Sequence, residues 1–371
     1  MADRTSIEWT DASWNPIRAV RAVKLPGAEP GDLAEMKTGW HCEKVSPGCA
    51  KCYAEPMNRR LGTGLPYKPG HRGDVDIFVD ERALAAPLKW RRPRKIFVGS
   101  MTDLFADFVT DEMLDRVFAV MALCPQHVFQ LLTKRPKRMR NYVRALNARN
   151  DLVTASIEGI QIPGRGSRPD VLLDLKTVIG HAPLPNVWLG FSAEDQERFD
   201  ERWTAVKPLA KAGWLTWWSA EPLLGPVDPS AAIPEVHHHP DNVRSPALDA
   251  LVRAAATMIG PGLRWVVTGG ESGPGARPMH PDWARSLRDR CAAAGVPFLF
   301  KQWGEWAPST PEQAAGNPRS GWRCLAGHPH VARREELYPE AGAAFIERVG
   351  KKAAGRTLDG VIHDAYPEPS V

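Results

Sequence analysis

The sequence contains no apolar run long enough to cross a membrane, and its first residues lack the basic start and apolar stretch of a secretion signal. It also shows no internal repeat and no coiled-coil pattern. Cysteine is scarce, with six residues in 371. We therefore expect a cytoplasmic protein that does not span a membrane and is not built on a disulfide framework.

An excess of charge is also missing, because the net charge is only +5. That value permits nucleic acid as a partner but does not demand it. The basic residues are nevertheless concentrated in two runs, Lys89–Lys95 and Lys134–Arg140, and Trp90 lies inside the first. Such runs are either solvated surfaces or contacts for the phosphates of nucleic acid.

Short apolar runs that end in polar or glycine residues predict strands buried on both faces. They are Lys95–Gly99, His127–Leu132, Asn186–Phe191, Trp214–Trp218, Arg264–Thr268 and Pro297–Phe300. A first strand is expected within Ser6–Trp14, and helical spacing predicts helices over Asp111–Leu123 and Pro281–Ala294. This alternation predicts an α/β fold with a parallel sheet, a partial or full TIM-type βα barrel.

The barrel is expected to occupy residues 1–304, with insertions near 19–37 and 228–262. The second insertion contains three adjacent histidines, His237–His239, which we interpret as part of a surface loop. Residues 305–371 are expected to form a C-terminal extension that packs on the barrel and includes a helix over 333–348.

Polar, charged or glycine residues follow nearly every predicted strand, where the active site of a parallel barrel lies. They are Ser100, Asp103, Lys134, Ser192, Glu194, Glu221, Gly269, Gly270, Glu271 and Lys301. The alternative interpretation is helix capping, which explains Thr110 before Asp111 well. For the glutamates, the alternative is an ion pair with Lys134 or Lys301.

Tryptophan is abundant, with fourteen residues. Several lie beside glycine, proline or charge, namely Trp9, Trp14, Trp40, Trp303 and Trp306. These side chains either line a cleft, where Trp303 would be able to stack on a base, or pack between the elements of the barrel.

Three of the six cysteines, Cys42, Cys49 and Cys52, form a C-x6-C-x2-C pattern. Thiolates are ligands for iron–sulfur clusters and for zinc. A structural zinc site requires four ligands, so His41 or the remote Cys324 would have to complete it. Three thiolates instead suit a 4Fe-4S cluster with one open iron. Unligated thiols are the third reading, and we expect Cys124 and Cys291 to be core residues.

Several motifs carry a resemblance to a known family. They are Trp14-Asn15-Pro16, the segment Cys42–Glu55, Ser219–Gly225, Gly269–Gly273, Phe300–Gly304 and Val349–Arg356. Together they resemble a phage-associated family of three-cysteine proteins of unknown biochemistry, which in turn is similar to radical S-adenosylmethionine (SAM) enzymes such as spore photoproduct lyase. The chain departs from the usual radical SAM pattern in its six-residue first gap and in having Lys51 before the last cysteine.

The resemblance implies a 4Fe-4S cluster and SAM as cofactors, with Cys42, Cys49 and Cys52 as metal ligands. Residues expected to bind the cofactor are Tyr53, Ser100, Asp103, Ser192, Glu194, Gly269 and Gly270. Residues expected to take part in catalysis are Glu221, Glu271 and Lys301. The cluster and SAM would supply a 5′-deoxyadenosyl radical that abstracts hydrogen from the substrate.

For the substrate we favour a nucleobase in DNA or RNA, repaired or modified, which must be flipped out or single-stranded to be reached. A radical SAM enzyme acting on a peptide or small metabolite is the second hypothesis, and a non-catalytic zinc-stabilised nucleic-acid-binding protein is the third. Expected partners are nucleic acid at the two basic runs, a protein encoded by a neighbouring gene, and a reductant such as flavodoxin or ferredoxin.

Overall fold

The fold is taken from a computed structural model. It describes residues 5–23, 35–158, 160, 168–233, 262–310, 322–325 and 342–368, with backbone only at 168 and at 322–325. The chain divides into two compact units, Met1–Gly190 and Phe191–Val371. Among the described helices, none is long and apolar enough to cross a membrane.

A seven-stranded sheet has the strand order β1-β5-β6-β7-β8-β9-β10. Its strands are β1 Ala12–Trp14, β5 Lys95–Val98, β6 Val128–Thr133, β7 Val187–Ser192, β8 Thr216–Ala220, β9 Trp265–Gly269 and β10 Phe298–Gln302. The pairs β1–β5, β5–β6, β8–β9 and β9–β10 are parallel. The predicted α/β fold with a parallel TIM-type sheet is confirmed, in the partial form.

Burial explains why these strands were visible in the sequence. Every residue of β7, β8 and β9 is buried, as is typical of parallel strands covered on both faces. Their apolar runs therefore predict the strands to within about two residues. The strand expected within Ser6–Trp14 is the short β1.

The helices lie mostly between these strands. They are α1 Ala54–Leu61, α2 Glu81–Leu84, α3 Asp111–Ala122, α4 Pro136–Ala145, α5 Asn150–Ala155, α6 Arg168–Gly180, α7 Gln196–Lys211, α8 Pro281–Ala293 and α9 Lys351–Ala354. Thr110 caps α3, as predicted, because its side chain accepts a hydrogen bond from the Met113 amide. The helices expected at Asp111 and Pro281 begin at those residues.

A second, antiparallel sheet lies in the first unit, in the order β3-β2-β4. Its strands are β2 Ile17–Val23, β3 Glu35–Gly39 and β4 Asp76–Val79. The predicted insertion near 19–37 thus contains most of β2 and part of β3, while residues 24–34 lie outside the described part. This sheet brings Gly39 to the start of the segment that carries the cysteines.

The second unit contains a third sheet, in the order β11-β13-β12. Its strands are β11 Trp306–Pro308, β12 Trp322–Leu325 and β13 Ala344–Arg348. The helix predicted over 333–348 is wrong at 344–348, because antiparallel pairing of β13 with β11 and β12 overrides the helical preference of its Ala, Glu and Arg residues. The rest of that prediction, and the histidines at 237–239, lie outside the described residues.

The last described residues contact the end of the parallel sheet within the second unit. The amide of Phe300 donates to the His363 carbonyl at 3.0 Å, and the Trp265 indole donates to the Ala365 carbonyl at 2.9 Å. The domain boundary at 304/305 itself stays a prediction.

Candidate functional site

The three clustered cysteines lie between β3 and α1, on a loop that contains a short 3-10 turn at Pro47–Cys49. The Cys49 amide donates to the Ser46 carbonyl at 2.9 Å, and the Cys52 amide donates to the Cys49 carbonyl at 3.3 Å. All three thiols are free and half-buried. Cys42 and Cys52 pack with Trp40 against a small core of Ala54, Tyr67 and Met101.

Asn58, on α1, fixes the start of this loop. Its fully buried amide accepts a hydrogen bond from the Trp40 backbone at 2.9 Å and donates to the Thr63 hydroxyl and the Leu65 carbonyl. Gly39 is required beside it, since an added Cβ would lie 2.3 Å from the Thr63 nitrogen. The chain entering the cysteine loop is therefore held by a buried side chain on the helix that leaves it.

Asp103, after β5, fixes the same loop from the sheet. Its carboxylate accepts hydrogen bonds from the Thr133 hydroxyl at 2.6 Å, the Lys134 amide at 3.0 Å and the Arg135 guanidinium at 3.0 Å. Arg135 also donates to the Glu43 carbonyl, one residue after Cys42. Asp103 was expected to bind cofactor, and the structure places its carboxylate in these contacts beside the cysteine loop.

Burial dominates the electrostatics of two of the thiols, Cys42 and Cys52. It raises the pKa of Cys42 to about 12, with a further contribution from the Asp103 carboxylate and a smaller opposing one from Arg135. Burial also raises the pKa of Cys52, and the nearby Lys134 partly opposes that shift. These thiols are therefore protonated at neutral pH, and a metal that binds them must displace the protons.

Two further residues expected to bind cofactor lie next to each other, Tyr53 just before α1 and Ser100 after β5. The half-exposed Tyr53 donates through its hydroxyl to the Ser100 carbonyl at 2.7 Å. The Asn15 side chain joins β1 to this turn, donating to the Ser100 hydroxyl at 2.9 Å and accepting from the Met101 amide at 2.9 Å. The structure thus brings Tyr53 and Ser100 to the cysteine loop.

The donor set of this loop fits a three-thiolate iron–sulfur cluster in chemistry. The Trp40 indole N–H is buried and has no hydrogen-bond partner among the described residues, and the residue packs against the same small core as Cys42 and Cys52. Such a donor suits a cluster sulfur or a coordinated thiolate. Within the described ranges, no three His, Cys, Asp or Glu side chains stand in a ligating arrangement.

His41 packs beside the cysteine loop. Its ring is buried 4.9 Å from that of Phe108, with its Nε2 atom 3.6 Å from the Glu43 carboxylate. Burial lowers the pKa of His41, which favours the neutral ring. Cys324, the other residue considered for a zinc site, lies on β12.

In the second unit, the polar residues after β7 form a buried network. The fully buried Glu194 carboxylate accepts a hydrogen bond from Arg202 at 3.1 Å, and Arg202 also donates to the Ser192 carbonyl. The Ser192 hydroxyl donates to the Glu221 carbonyl at 3.2 Å. Ser192 and Glu194, expected to bind cofactor, are thus held by contacts within the protein.

Both carboxylate oxygens of Glu271, a residue expected to be catalytic, accept hydrogen bonds within the protein. Its carboxylate accepts from the Arg277 backbone amide at 2.8 Å and from the guanidinium at 2.9 and 2.6 Å. The hydrogen bond from Arg277 to this carboxylate raises the pKa of the guanidinium. This bidentate pair orders the loop after β9.

The glycines before Glu271 are explained by packing between backbones. A Cβ on Gly270 would lie 2.0 Å from the Trp303 carbonyl oxygen, and a Cβ on Gly304 would lie 2.1 Å from that of Glu271. Gly269 is less crowded, with its nearest contact to the Gln302 oxygen at 3.3 Å. The loops after β9 and β10 therefore meet at a glycine junction, formed by Gly270 and Gly304.

Glu221 and Lys301 form the part of this cluster that retains an available acceptor. Their side chains, both more than four-fifths buried, are joined by a hydrogen bond of 2.7 Å, the ion pair considered as the alternative interpretation. Lys301 lies at a register shift between β9 and β10, and bulges of this kind redirect side chains. The second oxygen of Glu221 is buried without a hydrogen-bond partner in the described part of the chain.

The tryptophans proposed to line a cleft are mostly core residues. Trp9, Trp14, Trp303 and Trp306 are buried. The suggestion that Trp303 stacks on a base is wrong, because its ring is enclosed and its indole donates to the Thr357 carbonyl at 2.8 Å. Cys124 and Cys291 are likewise buried, as predicted.

Comparison with known proteins identifies a family. The family model described as "Protein of unknown function (DUF5131)" matches residues 35–367. The chain belongs to this family. No curated protein matches it in sequence. The predicted resemblance to a family of unknown function is thereby confirmed, while phage association and radical SAM chemistry stay predictions.

One solved structure similar to this DUF5131 chain is spore photoproduct lyase complexed with dinucleoside spore photoproduct. It shares 12% sequence identity, with a TM-score of 0.31, over 82% of this chain and 65% of that chain. The chain thus spans less than two thirds of that protein. A TM-score this low carries no argument about fold or function.

The sequence analysis did not identify two residues that hold the cysteine loop in place, Arg135 and Asn58. Arg135 was interpreted only as part of a basic run, and Asn58 was not considered. A sequence signal existed for Arg135, which follows a strand directly after Thr133 and Lys134. For Asn58 the signal was a polar residue at the centre of an otherwise ordinary helix, which is weak.

Proposed function

We propose that this protein is a radical SAM-type enzyme whose Cys42, Cys49 and Cys52 hold a 4Fe-4S cluster, and that it acts on a nucleobase in DNA or RNA. The observation that carries the proposal is the cysteine loop itself. Its three thiols lie on one short loop that Asn58 holds from the helix and the Asp103–Arg135 pair holds from the strand ends. Such a preorganised loop suits a functional centre.

When bound and reduced by a donor such as flavodoxin or ferredoxin, the cluster and SAM supply a 5′-deoxyadenosyl radical for hydrogen abstraction. Residues of the chain would bind and orient these two cofactors. Arg135 lies near Cys42, where its charge partly opposes the rise in the pKa of that thiol and would offset the negative charge of the thiolates. The Trp40 indole would donate a hydrogen bond to a bound sulfur. Tyr53, fixed through Ser100, presents its exposed ring beside the loop, where it would contact the SAM adenine.

In the second unit, Glu221 and Lys301 are the proposed catalytic pair. The unpartnered oxygen of Glu221 would accept a hydrogen bond from the bound molecule, while the Lys301 ammonium holds the other oxygen through a hydrogen bond of 2.7 Å. Glu271 and Glu194 have a supporting role, since each is engaged by an arginine. The carboxylate with an available oxygen is thus Glu221 rather than Glu271.

The nucleobase assignment is supported by the basic runs. A peptide or small metabolite is the competing substrate class, and rapid SAM cleavage only in the presence of such a molecule would replace the nucleobase.

The test is anaerobic reconstitution of the full chain with iron and sulfide. We expect a brown protein with iron–sulfur absorbance and an EPR signal on reduction, and 5′-deoxyadenosine released from SAM. Cys49→Ala should abolish all three readouts. Cys124→Ala, which removes a thiol from the core, is the matched control and should retain them. A colourless protein with one zinc per chain would overturn the proposal.

A further inference from the structure

The two basic runs of the first unit, which the sequence alone does not distinguish, differ in the structure in how their cations are paired with carboxylates. In the run Lys134–Arg140, two of the arginines form ion pairs within the protein. Arg135 pairs with Asp103 at 3.0 Å, and Arg138 pairs with Asp111 at 3.0 Å. Two of its cations are therefore already compensated by carboxylates.

The run Lys89–Lys95 is different, because its middle faces solvent. Lys89, Arg91 and Arg92 are exposed, and none of them makes an ion pair within the described residues. Within the described part of the chain, an ion pair is found at the end of the run, where the Asp11 carboxylate lies 4.0 Å from the Lys95 ammonium. Three uncompensated cations thus lie close together on one short segment.

The segment is also held in place. Pro87–Lys89 forms a 3-10 turn, and the Trp90 amide donates to the Pro87 carbonyl at 3.1 Å. The Trp90 ring contacts the buried His127 edge-on at 6.0 Å, and the Arg94 guanidinium lies over the ring at 4.9 Å. Cations presented on a fixed segment lose less conformational entropy when they bind a ligand.

Topology places this segment at the opposite edge of the parallel strands from the cysteine loop. The segment leads into the start of β5, whereas Ser100, Asp103 and Arg135 follow the ends of β5 and β6. Because these strands are parallel, their starts share one edge and their ends share the other. A ligand on the segment therefore lies apart from the cysteine loop.

We propose that Lys89, Arg91 and Arg92 form an anchoring surface for the phosphodiester backbone of nucleic acid, separate from the candidate cluster site. Exposed, uncompensated cations beside a fixed aromatic fit a polyanion held through its phosphates rather than through its bases. The inference rests on the nucleobase assignment of the proposed function, but not on the cluster. This surface would give the enzyme a second contact with the same nucleic-acid strand, away from the base that reacts.

The experiment compares two triple variants of the reconstituted full chain. One changes Lys89, Arg91 and Arg92 to Gln. The matched control changes one lysine and two arginines of α4, namely Lys137, Arg140 and Arg144, to Gln. Binding of labelled single-stranded DNA, duplex DNA and RNA of one mixed sequence is measured across a range of salt concentrations.

We expect the first variant to bind about 10- to 100-fold more weakly, with a salt slope reduced by about two, and the control to change less than about threefold. The three probes show which nucleic acid is preferred. An equal or larger loss in the control overturns the proposal, as does unchanged binding in the first variant, or tighter binding of polyglutamate than of any nucleic acid. Iron content and SAM cleavage of the same variants separate this outcome from failure of the proposed function, since neither should change in the absence of substrate.

Discussion

The cysteine loop of the first unit and the strand-end loops of the second unit are held in different ways. The first is fixed by side chains, because Asn58 and Asp103 donate or accept several hydrogen bonds each around it. The second is fixed by direct contact of backbones at Gly270 and Gly304. Hydrogen-bonded side chains leave a loop able to adjust, whereas a backbone junction has no space to yield. This difference would suit the cysteine loop if it binds the proposed cluster.

The largest expected effect would come from breaking the backbone junction. Gly270→Ala places a methyl group 2.0 Å from a carbonyl oxygen and should destabilise the protein by more than about 3 kcal/mol in chemical denaturation. Gly273→Ala, in the same motif, is the control. It has a φ of +97° but no atom within 4 Å of the added Cβ, so it should cost only about 1 kcal/mol. Equal costs would remove the distinction.

Breaking the side-chain lock should have the next largest effect. Asn58→Leu leaves the Trp40 amide, the Thr63 hydroxyl and the Leu65 carbonyl without their partner, at a cost of about 3 kcal/mol. Iron uptake on reconstitution should fall as well. Asn147→Leu, at an exposed position, should leave both stability and iron uptake unchanged. A stable Asn58→Leu protein with normal iron content would contradict the assigned lock.

Two isosteric changes sharpen the comparison within the second unit. Glu271→Gln weakens three contacts with Arg277 and should cost about 2 kcal/mol of stability. Glu221→Gln should cost less than about 1 kcal/mol, since its partner Lys301 retains an amide oxygen as acceptor. The rate of the proposed SAM-dependent reaction should show the reverse order, with the larger loss in Glu221→Gln. If Glu271→Gln lowers turnover without loss of stability, the catalytic roles are exchanged.

The smallest expected effect on folding comes from Trp40→Phe. Removing a buried N–H that has no partner in the described part of the chain should change the stability of the cluster-free protein by less than about 1 kcal/mol. After reconstitution, the loss of a donor to sulfur should shift the reduction potential of the cluster to more negative values. A purely structural tryptophan would give the opposite pattern, a clear loss of stability with an unchanged potential.

The sequence predicted the strands that are buried on both faces and missed those that are not. β7, β8 and β9 are continuous apolar runs, so burial and sequence agree. β3, with the sequence EMKTG, has only its last residue buried and is set by pairing with β2. At β13 the same cause produced an error, since non-local pairing replaced the expected helix.

For the site, the sequence predicted which residues lie at the strand ends but not what they contact. Glu221 and Glu271 follow adjacent strands and have the same chemistry. One carboxylate oxygen of Glu221 has no hydrogen-bond partner in the described part of the chain, whereas both oxygens of Glu271 accept hydrogen bonds. The reason is Arg277, six residues after Glu271, which the loop folds back onto that carboxylate. Such a return is decided by the backbone path of the loop and leaves no periodic pattern in the sequence.

The pairing of β1 with β5 has a consequence for synthesis of the chain on the ribosome. Ala12 aligns with Ile96, and the cysteine loop lies between these two strands in the sequence. Arg135, which holds the loop from the sheet, is translated later still. The thiols therefore emerge long before the elements that position them, and a nascent chain that ends before β6 lacks the means to close the loop. If the proposed cluster is present, its iron and sulfide are expected to be inserted after translation of this unit rather than during it.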